Sequence, residues 1–243
     1  MPACIIVGSG PGISKSIAER FGRGGFTIGL VSRSVTNLKA LTQQLSTDGV
    51  TAFWEQADAG NPEQLKTAIQ ALINTLGRCD VLIYNAAVLN PANPLELTSE
   101  QLITEFSVNV LGAHVATKHV VPDMVSRNKG AIVFKGGGLA LEPFPEWTSL
   151  ALGKAALKNM AISLYKELAP HGIHVSVIAI CGIVTEGGPF DPALVANEYW
   201  RVATEPRGVK DREIIYQPIG TDPLYNDPEH LHKETTILPG HVR

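Results

Sequence analysis

The short apolar run Cys4–Val7 ends directly on Gly8-Ser9-Gly10-Pro11-Gly12, and apolar residues at helical spacing then begin with Ile13, Ile17 and Phe21. A strand that turns through glycines straight into a helix must cross over before it pairs again, so the next strand runs parallel to the first. The pattern repeats. Short β-branched runs at Thr27–Val31, Thr51–Gln56, Val81–Tyr84, Ala131–Phe134 and His174–Ile180 predict further strands. Between them Leu65, Ile69 and Leu72 or Ile73, then Leu102 and Phe106, then Leu157, Met160 and Leu164 recur at helical spacing. This alternation predicts an α/β fold, a single domain whose doubly wound parallel sheet is flanked by helices on both faces. Glu213–Tyr216 is a candidate last strand.

The chain has 243 residues, 44% hydrophobic and 18% charged, which suits one folded domain with a substantial core. A formal charge of −3 gives no electrostatic case for nucleic acid or an acidic membrane as partner. Cys4, Cys79 and Cys181 show no metal-ligand spacing and read as small buried hydrophobes. No basic leader precedes the first apolar run and no stretch approaches bilayer length, so a cytoplasmic protein is expected. The folded domain is expected over 1–216. From 217 to 243 the composition shifts to Pro, Asp and His, with Pro218, Pro223, Pro228 and Pro239 and no periodicity. Such a tail is either an ordered arm on a neighbouring subunit or a frayed end. Its His230, His232 and His241 read as solvated, so no metal site is expected.

Glycines after a first strand let the chain turn tightly and let a pyrophosphate approach the backbone. The helix that follows offers free N–H groups and partial positive charge at its start. Gly8, Gly10, Gly12 and Ile13 are therefore candidates to bind a dinucleotide, with Gly8 and Gly12 under the phosphates. The end of the second strand selects the cofactor. An acid there would accept from a ribose hydroxyl, but the chain reads Val31-Ser32-Arg33-Ser34. Ser32 and Arg33 fit a 2′-phosphate, which a forked guanidinium grips, so NADP(H) is favoured and NAD(H) is the alternative.

With these residues in hand, the chain resembles the short-chain dehydrogenase/reductase family over about Ala3 to Thr185. The resemblance implies a Rossmann-type fold and carries over residue by residue. The family's glycine motif matches Gly8, Gly12 and Ser14, with serine in place of the last glycine. Asp58 matches the acid that contacts adenine. Asn85-Ala86-Ala87 resembles the Asn-Ala-Gly segment beside the adenosine ribose. Asn109 falls at the structural and proton-relay asparagine, and Lys154 at the lysine that binds the nicotinamide ribose. Cys181-Gly182-Ile183-Val184-Thr185 resembles the Pro-Gly-x-x-Thr loop over the nicotinamide, which places Gly182 and Thr185 at the cofactor. The resemblance also implies a homodimer or homotetramer, paired through the helices that start near Glu100 and Trp147.

The departures fall on the chemistry. The family's proton-transferring tyrosine lies four residues before the lysine, one helical turn away. Its substrate-holding serine lies thirteen residues before that tyrosine. Here those positions are Leu150 and Gly137, in Phe134-Lys135-Gly136-Gly137-Gly138. Asn109 and Lys154 remain as the catalytic candidates. Ser149 lies about 100° round the helix from Leu150 and is a poor substitute. Lys135 shares a strand face with Gly137, so it either enters the pocket or, the favoured alternative, is screened or paired elsewhere. His114 reads as structural, while Glu142, Glu146, Glu186 and Tyr199 are all expected to border the cleft. The three glycines either widen the pocket, build a backbone cradle for an oxyanion, or form a tight packing turn.

Two functions follow. One is an NADP-dependent oxidoreductase with an altered acid, acting on a small organic substrate, with an imine or activated alkene favoured over a simple ketone. The other is a non-redox cyclase or isomerase, or an NADP-sensing binding protein, on the same scaffold.

Overall fold

A computed structural model describes residues 1–204 and 212–221. Seven parallel strands form one sheet: β1 (Ala3–Val7), β2 (Thr27–Ser32), β3 (Ala52–Gln56), β4 (Val81–Tyr84), β5 (Gly130–Lys135), β6 (Ile173–Ile180) and β7 (Glu213–Tyr216). Their order is β3-β2-β1-β4-β5-β6-β7. The expected α/β doubly wound sheet is present, and each sequence-predicted strand lies within a residue of its observed bounds. The candidate strand at Glu213 pairs in register with β6, Val177 opposite Glu213.

The strands are buried on both faces because helices cover both. Alternate side chains divide between two cores. Ile5, Val7, Leu82, Tyr84, Ile132 and Phe134 pack on one face, with Leu65, Val120 and Leu157. Cys4, Ile6, Val81, Ile83, Ala131 and Val133 pack on the other, with Ile17, Phe21, Leu38 and Tyr199. The first face carries α3 (Pro62–Leu76), α5 (Gly112–Ser126) and α6 (Thr148–Leu168), with α4 (Ser99–Phe106) packed against α6. The second carries α1 (Ile13–Arg23), α2 (Val35–Thr47) and α7 (Pro192–Thr204). Cys4, Cys79 and Cys181 are free and buried.

Helix starts follow local chemistry. Asn61 accepts from the Gln64 N–H at 3.1 Å before Pro62, and Thr98 forms a capping box with Gln101. Periodicity had marked neither α2 nor α7. Ser34 caps α2 by accepting from Asn37, and Asp191 caps α7 by accepting from Ala193. α7 is held by α1: Trp200 packs edge-on to Phe21 at 5.3 Å and stacks under the Arg20 guanidinium.

α4 runs into α5 through a π-helical turn at Ser107–Leu111. The wider turn leaves the Val108 carbonyl free to accept from the Tyr84 hydroxyl at 2.5 Å. Gly112 follows because nothing larger fits: a Cβ there would lie 2.2 Å from the Ala59 carbonyl oxygen and 2.3 Å from the Tyr84 hydroxyl. Residues 217–221 form a turn after β7, with the Thr221 N–H on the Pro218 carbonyl. Residues 222–243, with His230, His232 and His241, lie outside the described residues. No helix among the described residues is long and apolar enough to cross a membrane.

Gly112→Ala should therefore destabilise the fold by about 1–3 kcal/mol through overpacking. Urea denaturation would measure it, and an unchanged midpoint would show that α5 shifts without cost.

Candidate functional site

Strand order reverses between β1 and β4, and in open α/β sheets ligands bind at the carboxyl ends of strands at such a point. A cavity of about 290 Å³ opens there. It runs along the strand ends past Ser32 and Arg33, Asp58, Gly8 and Ser9, then Asn85, Ala86 and Ala87, to Lys135.

The turn after β1 is pressed against the end of β4. Gly8 has φ +88°, and a Cβ on it would lie 2.3 Å from the Ala86 nitrogen, so only glycine serves. Asn85 ties the two segments, donating from Nδ2 to the Gly8 carbonyl at 3.0 Å and to Ser14 Oγ at 3.3 Å. Ser14 Oγ also accepts from the Gly10 N–H at 3.0 Å, so the serine in the third motif position fastens the turn from within. Gly10 and Gly12 have open space where a Cβ would stand. Gly12 caps α1 without any side-chain acceptor, which leaves helix N–H groups for a ligand. Ile13 is buried behind the turn.

Arg33 is exposed at the cavity's edge, and among the described residues its guanidinium has no carboxylate partner. Asp58 accepts from the Gly60 N–H at 2.9 Å, which fixes the carboxylate at the end of β3.

Lys154, in the second turn of α6, is 5% exposed and donates from Nζ to the Lys135 carbonyl at 2.7 Å. Burial, and then the charge of Lys135, lower it to about 7. Asn109 sits in the π-helical turn, 2% exposed. Its Oδ1 accepts from the Val88 N–H at 2.8 Å, while its Nδ2 is buried without a partner among the described residues. Gly153 lets α6 approach it, since a Cβ there would meet Asn109 Cβ at 2.8 Å. One turn before Asn109, the buried Glu105 accepts from Asn90 Nδ2 at 2.9 Å. Together Asn109 and Glu105 pin the segment 88–90, which puts Leu89 into the cavity wall. Glu105 escaped the sequence reading; its one signal was the four-residue step to Asn109.

Leu150 is buried one turn before Lys154, and Ser149 Oγ beside it is buried without a partner. The three glycines build no open cradle. A Cβ at Gly136 would lie 2.9 Å from the Ile178 carbonyl oxygen, and one at Gly138 3.2 Å from Cys181 Cα, so both are packing turns against β6 and Cys181. Gly137 differs: it is extended, and its Cβ would sit 3.7 Å from Lys154 Cγ, with room for a side chain. Gly182 packs under the Phe190 ring, Thr185 is exposed, and neither lines the cavity.

Two expectations change. Tyr199 is fully buried against α1 and β6, not at the cleft, because its apolar spacing in α7 faces the core. Lys135 lines the cavity and has no ion-pair partner among the described residues, so entry into the pocket, the less favoured of the two alternatives, is the one the structure supports. His114, read as non-catalytic, lies exposed on α5 and does not line the cavity. Glu142, Glu146 and Glu186 are exposed in loops, and Glu146 accepts from its neighbour Trp147.

Lys154 makes stability depend on pH. In the unfolded chain it titrates near the ordinary lysine value of 10.5, and in the fold near 7. Between these values only the unfolded chain holds the proton, so this group makes stability rise with pH from about 7 to about 10.5, and adds no slope below 7. Urea denaturation without cofactor at pH 7 and pH 9 should show the wild type gaining on Lys154→Met. Parallel behaviour of the two would refute it.

Residues 2–189 match the family model described as short chain dehydrogenase. Over 207 residues the chain is 30% identical to oxidoreductase UcpA of Salmonella typhimurium, spanning 80% of this chain and 77% of that protein. It is 30% identical over 177 residues to dehydrogenase/reductase SDR family member 4 of Sus scrofa, spanning 72% of this chain and 63% of that protein. The fold is similar to that of a metagenomic short-chain oxidoreductase in complex with NADP, at 22% identity and a TM-score of 0.82 over 89% of this chain and 96% of the other. It is also similar to the L-sorbose reductase of Gluconobacter frateurii complexed with NADPH and L-sorbose, at 23% identity and a TM-score of 0.81 over 88% and 93%.

Proposed function

The chain belongs to the short-chain dehydrogenase family, and from that premise we propose that it is an NADP(H)-dependent oxidoreductase working without the family's usual proton donor. The cleft suits the cofactor. Gly10 and Gly12 leave open backbone for a diphosphate, and Arg33, without a carboxylate partner among the described residues, presents its guanidinium where a 2′-phosphate would lie. Ser32 lies beside it, Asp58 is set for adenine, and Asn85 and Ala86 flank the crevice. Several family relatives are named oxidoreductase or dehydrogenase, and similar folds carry NADP or NADPH.

The observation that carries the reading is the pairing of buried Lys154 with buried Leu150 one turn earlier. Burying this amine, whose charged form burial disfavours, is costly unless a ligand uses it, and the nicotinamide ribose is the ligand the family offers. Bound nicotinamide supplies a hydride. Lys154 and Asn109 would hold its ribose end. Leu150 and Gly137 present no hydroxyl to the substrate, so neither can protonate a developing alkoxide. Losing that general acid costs about 10²–10⁴ in rate for a ketone. An iminium carbon arrives already protonated on nitrogen and needs no donor. An activated alkene takes its proton on carbon from water. Both classes suit this wall better than a simple carbonyl.

Titration should show NADPH binding about tenfold or more tighter than NADH, with Arg33→Ala erasing most of the difference. Tighter NADH binding would remove the argument from Arg33. Restoring the chemistry tests the pose of the nicotinamide. Gly137 has the space for a serine, so the Leu150→Tyr/Gly137→Ser double variant should gain NADPH-dependent carbonyl reduction. A folded, cofactor-bound double variant with no gain would contradict the redox reading.

A further inference from the structure

Lys135 ends β5 and lines the cavity shared by Gly8, Ser9, Asn85 and Ala86. Among the described residues it has no ion-pair partner, although Asp58 lines the same cavity. Burial disfavours its charged form, and its charge in turn lowers Lys154. The fold thus holds two neighbouring amines, and among the described residues only Lys154 has a hydrogen-bond acceptor, the Lys135 carbonyl. An ammonium kept half-buried beside another amine destabilises the empty fold. An apolar residue at the end of a central strand would remove that cost, so what keeps a lysine here has to come from a ligand.

Its position identifies the ligand's chemistry. Along the carboxyl edge of the sheet, Arg33 follows β2 and Lys135 ends β5, with β1 and β4 between them. Three inter-strand steps separate the two cations, about 14 Å at the usual strand spacing. The phosphate-binding turn Gly8–Ile13 lies over the middle of that span. A ligand with two anionic groups, one at its adenosine end and one near its centre, would meet a cation at each.

We propose that Lys135 is a second cationic binding residue of the cleft, contacting the diphosphate that joins the two ribose units of the cofactor and supplementing the backbone N–H groups at the start of α1. The assignment rests on the reading of the cleft as a nicotinamide dinucleotide site. It accounts for a cation that the expected chemistry does not use. It also places opposite demands on the residue: Lys135 destabilises the free protein and tightens the complex.

Three probes separate the contributions: NADPH, 2′-phospho-ADP-ribose, which keeps the diphosphate and both riboses, and adenosine 2′-phosphate, which has no diphosphate. Lys135→Met should bind the first two about 10- to 100-fold more weakly than wild type and the third equally well. Lys135→Arg should recover most of the loss. The thermal midpoint of ligand-free Lys135→Met should equal or exceed that of wild type. Equal binding of 2′-phospho-ADP-ribose by wild type and Lys135→Met would overturn the proposal. So would weakening confined to NADPH, weakening of all three probes alike, or a lower ligand-free midpoint. Failure of wild type to bind any of the three would instead overturn the dinucleotide reading itself.

Discussion

The close contact between the turn after β1 and the end of β4 is the constraint on which the site depends. With a Cβ at Gly8 excluded by the Ala86 backbone, and Asn85 bonded to both Gly8 and Ser14, two segments nearly eighty residues apart become one surface. The crevice at the reversal of strand order exists because they meet there. α1 starts from that surface without a side-chain cap, so its first N–H groups stay available. Tyr84, one residue before Asn85, is fixed in turn by the π-helical turn that carries Asn109. The cleft floor and the helix behind it are thus held by one chain of contacts.

A second theme is charge placed where the fold alone does not want it. Lys154 is buried with only a backbone carbonyl for company, and Lys135 adds a like charge nearby. Asn109 Nδ2, Asn85 Oδ1 and Ser149 Oγ are buried without partners among the described residues. Buried polar atoms are normally satisfied, and Asn85 lines the cleft while Asn109 stands directly after its lining residue Val108. By contrast, Asp80 at the opposite edge of the sheet is fully engaged, by the Ala3 N–H, Arg78 and Arg127. That edge is built for stability, while the carboxyl edge leaves groups for a ligand.

Much of this was legible beforehand. The strands were readable because a doubly covered sheet needs near-continuous apolar runs, and the glycine turn because its position between strand and helix is so particular. α2 and α7 were not, although Leu38, Leu41 and Leu45, and Val195, Tyr199 and Val202, carry helical spacing. Without a view of what those stripes pack against, a polar-rich segment reads as a loop. Tyr199 was misplaced for the same reason: a tyrosine near a loop suggests chemistry, and only packing against α1 and β6 shows it to be core. The glycines at 136–138 looked alike in sequence, yet β6 excludes a side chain at Gly136, Cys181 crowds Gly138, and the middle one has room.

The sequence by itself determined the sheet, the parallel crossovers, the phosphate-binding turn, the acid-free end of β2 and the absence of a hydroxyl at Leu150 and Gly137. Each depends on local pattern or on the identity of one residue, which the chain states directly. Tertiary structure decided which groups share a space. Glu105 reaches Asn90, Lys154 finds the Lys135 carbonyl, and Lys135 itself lines the cleft with Gly8 and Asn85. These meetings join side chains from different strands and helices, and no spacing along one segment encodes how far apart two segments will lie once packed.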